Sequence, residues 1–182
     1  MDWKGENANV IKLLFKHEIA LSHLYGEYAK RFPDHEDFWS RLSAEEREHA
    51  ILISKLFETI KDGSAKIDGQ ILKVNALQTA NRRVNHLLSE VKEKDIPFIN
   101  ALSTALDIER SMIEKKAFRV FNGDSPEFQQ IMLILEEDTE DHLARILMLY
   151  MEHRKQTSKT KSPPSAKKQP PDAKEPPPSP TT

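Results

Sequence analysis

The stretch from Phe38 to Phe57 constrains this chain more than any other. Its apolar residues Trp39, Leu42, Ile53, Leu56 and, just beyond, Ile60 step by threes and fours, as an amphipathic helix requires. Carrying that stripe through the gap between Leu42 and Ile53 lands on Glu46 and His49. Two ionisable residues therefore belong to the face that packs inward. An unpaired buried carboxylate is destabilising by several kcal/mol unless it takes up a proton. The core of any fold built on this helix must compensate it.

Three further segments share the period. Residues 7–32 carry Ile11, Leu14, Phe15, Leu21, Tyr25, Ala29 and Phe32 on one face, and the heptad-spaced series Ile11, Glu18, Tyr25, Phe32 turns Glu18 inward. Pro33 breaks that helix and suits the first turn of the next. Glu18 lies 15 residues before Pro33, while Glu46 and His49 lie 13 and 16 after it. At about 1.5 Å per residue the three meet at one level of an antiparallel pair. A third helix is expected from Asp95-Ile96-Pro97 to about Phe121, with Ile99, Leu102, Leu106, Glu109, Ile113, Lys116 and Val120 in its stripe. After a turn at residues 122–127, with a Ser or Asp cap and Pro126 at the first position, a fourth helix should run to about Lys155. It places Phe128, Leu135, His142 and Leu149 on one stripe and Met132, Thr139 and Ile146 beside it. Residues 63–95 are less regular, with a short helix over Asn81–Val91, and suit a long crossover. The fold expected is all-α, an antiparallel four-helix bundle with that crossover between its second and third helices.

The bundle is expected over residues 1–155 and a disordered, Pro- and Lys-rich tail over 156–182, since eight of the 11 prolines fall there with no large apolar residue to bury. Net charge is -2, which gives no electrostatic case for nucleic acid or an anionic membrane. Cysteine is absent, which excludes disulfides, thiolate metal sites and thiol nucleophiles. The first residues show no signal-peptide pattern and no apolar run approaches the roughly 20 residues of a membrane span. A cytoplasmic protein is expected. His17, His23, His35, His86 and His153 lack ligand pairing and are expected at the surface.

Glu-x-x-His with both side chains inward is a ligand pair of dinuclear metal sites in four-helix bundles. With Glu18, Glu46-Arg47-Glu48-His49, Glu109 and His142 on four central helix positions, residues 7–153 resemble the rubrerythrin diiron domain of the ferritin-like superfamily. The Phe32-Pro33-Asp34 turn and the Phe38-Trp39 lead-in add to the likeness. The resemblance implies a metal site of Glu18, Glu46, His49, Glu109 and His142, filled by iron as a diiron or mononuclear centre, or by manganese. In it Glu18 matches a terminal ligand beside His49, Glu46 and Glu109 match bridging or terminal carboxylates, and His142 matches the second histidine. Two positions depart from the family. Thr139 stands where the second Glu-x-x-His has Glu, and Met112 stands where rubrerythrins carry an additional carboxylate. Asp138, four residues before His142, is the expected stand-in, on a stripe that also holds Arg145, expected to be exposed.

Two functions follow from that likeness. One is a redox metalloprotein, an oxidoreductase acting on peroxide or O₂, supplied with electrons by a separate donor because this chain has no cysteine-held iron. The other is a non-catalytic metal-binding or sensing bundle that acts through dimerisation or its tail. The family also implies a homodimer. The competing reading of the five polar residues is a buried Glu–His hydrogen-bonded network without metal.

Overall fold

The computed structural model describes residues 6–61, 65–67, 74–114, 121–123 and 125–160. It is all-helical apart from one small ladder. The elements in order are α1 (Glu6–Arg31), a 3-10 turn (Pro33–His35), α2 (Glu36–Lys61), β1 (Ala65–Ile67), α3 (Val74–Glu93), α4 (Phe98–Glu114), β2 (Phe121–Gly123) and α5 (Pro126–Thr160). Pro33 ends α1 and opens the turn, where its missing N–H costs nothing. Ahead of Pro126, Ser125 caps α5: its Oγ accepts from the Phe128 N–H at 3.2 Å, satisfying one of the donors that a helix start leaves open.

Helix pairing follows from cross-contacts. Ser22 Oγ donates to Ser43 O and Ser43 Oγ donates to Ser22 O, both at 2.7 Å, so α1 and α2 lie back to back as an antiparallel hairpin. Phe98 meets His153, with ring centroids 5.1 Å apart, and Glu109 approaches His142, so α4 and α5 form a second antiparallel pair. α3 lies along α1 in the same direction. Asn81 Nδ2 donates to Leu13 O at 2.9 Å near one end, and Arg31 donates to Val91 O at 2.5 Å and Lys94 O at 2.7 Å at the other. Those last two bonds satisfy carbonyls that the end of α3 leaves open.

The core is divided. One apolar cluster holds Ile11, Leu14, Ile53, Leu56, Leu77, Met112, Phe128 and Leu135, and the other holds Leu21, Leu24, Tyr25, Tyr28, Trp39, Leu42, Ala101, Leu102 and Ile146. Each large aliphatic side chain fully buried there contributes about 1.5–3 kcal/mol. Between the clusters, at mid-height on α1, α2, α4 and α5, lie buried Glu18, Glu46, His49, Glu109, Thr139 and His142.

Several expectations change. The helix expected over Asn81–Val91 spans Val74–Glu93, because Asn81 occupies a core position in the Leu77, Val84, Val91 stripe and masks its period. The third helix does not reach Phe121, which pairs in β2 with Ile67 of β1, as Gly123 pairs with Ala65. α5 continues to Thr160, with Thr157 and Ser158 hydroxyls bonded back to helix carbonyls and no proline between Pro126 and Pro163. His17 is buried, not at the surface, and its Nδ1 meets Asn81 Oδ1 at 3.2 Å. Gly63, Lys116, Val120 and residues 161–182 lie outside the described residues, as does the side chain of Ile113. No helix among the described residues is long and apolar enough to cross a membrane.

Candidate metal centre

Glu46 is the centre of the polar layer. Its Oε2 lies 3.2 Å from His49 Nδ1, one turn along α2, and its Oε1 lies 3.0 Å from His142 Nδ1 on α5. One carboxylate thus stands between two imidazoles that face it with the same nitrogen. Their rings stack with centroids 5.2 Å apart. Ligand atoms of Glu46, His49 and His142 all fall within 4.8 Å of one another, and all three residues are buried.

The outer nitrogens repeat the pattern. His49 Nε2 lies 3.2 Å from Asp138 Oδ2, and His142 Nε2 lies 3.2 Å from Glu45 Oε2. Glu45 in turn accepts from Arg145 at 2.6 Å, and Arg145 pairs with Asp141 at 2.7 Å. Carboxylates in these positions orient an imidazole and raise its basicity as a ligand. Sequence reasoning missed Glu45, and it assigned Asp138 to His142 when it reaches His49 on the neighbouring helix. Both are neighbours in sequence of inward positions, which is the only signal they carry. Arg145, expected to be exposed, is half-buried in this contact.

Glu109 and Glu18 complete the layer. Tyr25 donates its hydroxyl hydrogen to Glu109 Oε1 at 2.6 Å, and the same oxygen is 3.9 Å from His142 Nδ1. Burial, and then the charge of Glu46, push Glu109 up to about 8. Burial and the charge of Glu46 also raise Glu18 well above the ordinary carboxyl range. Burial acts against ionised Glu46 as well, yet its contacts with His142 and His49 and their positive charge hold it far below that range. Burial alone lowers both histidines, but the nearby Glu46 carboxylate outweighs it and raises them.

The donor set suits a divalent metal of intermediate hardness: two imidazoles with carboxylate oxygens around them. The alignment suits it too. His142 Nδ1 and Nε2 approach carboxylate oxygens at 3.0 and 3.2 Å, but neither contact is directed as a hydrogen bond, and Glu46 Oε1 and Glu18 Oε1 also lack one. Buried polar atoms normally find hydrogen-bond partners. Of the four that here do not, His142 Nδ1 and Glu46 Oε1 face each other across 3.0 Å, and that opposition fits a site organised around a cation. Thr139 adds nothing to it, since its Oγ1 donates to Leu135 O at 2.7 Å on its own helix.

Of the five residues expected from sequence, Glu46, His49 and His142 come together as one group, while Glu18 and Glu109 border it through Glu46 and His142. No protein-family model matches the chain, and comparison with curated proteins and with solved structures finds no match.

Proposed function

We propose that this protein is a metal-binding, ferritin-like four-helix bundle of α1, α2, α4 and α5, with α3 as the long crossover, related to rubrerythrins. Its site is Glu46, His49 and His142, with Glu18 and Glu109 as further carboxylates, and the metal is iron or manganese. The observation that carries this reading is Glu46 set between two buried Nδ1 atoms at 3.2 and 3.0 Å. A bound metal would supply Lewis acidity and electrons for reaction with peroxide or O₂. The chain's own residues would hold the ligands in register: Asp138 and Glu45 from outside, Tyr25 through Glu109.

The test is metal analysis and calorimetric titration of chelator-treated protein. Tight binding that His49→Ala abolishes is the expected result, and no binding by iron, manganese or zinc overturns the proposal. A second reading, metal binding or sensing without turnover, is favoured by the near-complete burial of Glu46, His49 and His142. Peroxide added to the Fe(II)-loaded protein separates the two: repeated consumption supports redox activity, and a single stoichiometric reaction supports binding alone.

A further inference from the structure

Away from the polar layer, α1, α3 and α4 bound a cavity of about 330 Å³. That is room for roughly ten waters, where close-packed side chains normally leave few voids larger than one. The sequence of α3 accounts for the space. Leu77, Asn81 and Val84 turn one stripe of the helix onto α1. The adjoining stripe, stepping by four and then three, is Ala76, Ala80 and Arg83, and it lines the cavity opposite Ile108 and Ser111 of α4. Two alanines stand where larger side chains would close the gap.

The lining changes character with depth. Val84, Ile108 and His17 are buried, while Arg83 is exposed, so the apolar groups form the floor and the cation stands at the mouth. The floor is fixed in advance. Asn81 donates through Nδ2 to Leu13 O, so its Oδ1 faces His17, and the imidazole donates to it from Nδ1 at 3.2 Å. A ring held in this way needs no ordering when a guest arrives. Among the described residues no carboxylate lines the cavity. Asp107 of α4 lies 3.8 Å from Arg83, beyond a direct hydrogen bond, which leaves the guanidinium fork for another acceptor.

We propose that this cavity binds a small amphipathic carboxylate, its apolar body against Ala80, Val84 and Ile108 and its anionic head on Arg83 at the mouth. A concave, mostly apolar site with a few polar groups to fix orientation is the usual form of a small-molecule pocket. The planar guanidinium matches a carboxylate with two parallel hydrogen bonds. A neutral apolar guest would leave Arg83 unused, and a small inorganic anion would leave the floor unfilled. The site does not depend on whether the polar layer holds a metal.

Calorimetric titration of the full chain with hexanoate and phenylacetate tests this, with hexanamide and phenylacetamide as matched neutral controls. The expected result is saturable binding of at least one acid, one per chain, about tenfold or more tighter than its amide. Ala80→Phe fills the cavity and should abolish binding with helical circular dichroism unchanged. Ala76→Leu serves as the second variant should the first misfold. Arg83→Gln should bring the acid down to the level of its amide, and Asp107→Asn should tighten the acid by removing a competing charge. No saturable binding by either acid overturns the proposal, as does an amide that binds as tightly as its acid. Binding that survives the cavity-filling variant, or an acid as tight on Arg83→Gln as on the native chain, overturns it equally.

Discussion

Replacing Glu109 by Gln should stabilise the metal-free protein while weakening its metal site. Glu109 is raised from 4.5 to about 8 in the folded chain. Its contribution is therefore fully present below the unfolded value and is lost as pH rises through the folded one. The interval is 8 − 4.5, or 3.5 units, and at about 1.36 kcal/mol per unit the full loss is on the order of 5 kcal/mol. At about pH 7, some 2.5 units above 4.5, about 3 kcal/mol of it has already gone. Glutamine cannot ionise, and its carbonyl can still accept the Tyr25 hydroxyl. Urea unfolding in chelator should thus show Glu109→Gln more stable than the native chain near neutrality, by a margin that widens to about pH 8 and closes towards about pH 4.5. Metal affinity should fall at least about tenfold, because an anionic oxygen is lost. A stability difference that does not change with pH would refute the argument from burial and Glu46.

Thr139→Glu should place a further carboxylate one turn before His142 and raise the metal stoichiometry measured by calorimetry, since the native hydroxyl is turned back onto Leu135 O. Asp138→Asn and Glu45→Gln should each lower metal affinity about 10–100-fold without changing stoichiometry, as expected of groups that orient His49 and His142 from outside. Tyr25→Phe should destabilise the metal-free protein by about 1–3 kcal/mol in urea unfolding, because Glu109 loses its phenol donor inside the core.

The helices were legible because their apolar periods are strong, and the inward ionisable residues were legible as interruptions of those periods. Glu18, Glu46, His49, Glu109 and His142 are all buried where their stripes place them. Partnership was not legible. Position on a helix says which way a side chain faces, but the pairing of Asp138 with His49 depends on how α5 is rotated against α2, which no single helix encodes. His17 escaped for a related reason: its buried surroundings include Asn81 of α3, a helix whose extent the polar interruption at 81 concealed.

The polar layer also lies where the two hairpins meet. α1 with α2 and α4 with α5 are closely packed pairs, and several polar contacts cross from one pair to the other at this level. His49 reaches Asp138, His142 reaches Glu46 and Glu45, Arg145 reaches Glu45, and Tyr25 reaches Glu109. Without a cation, protons on Glu18, Glu109 and the histidines must balance the charge, and they do so at a cost that rises with pH for Glu109. A divalent ion would replace those protons and bind groups from both hairpins at once. Under the proposed function, metal binding and the joining of the two halves of the core are therefore one event, and it should release protons and stabilise the fold together.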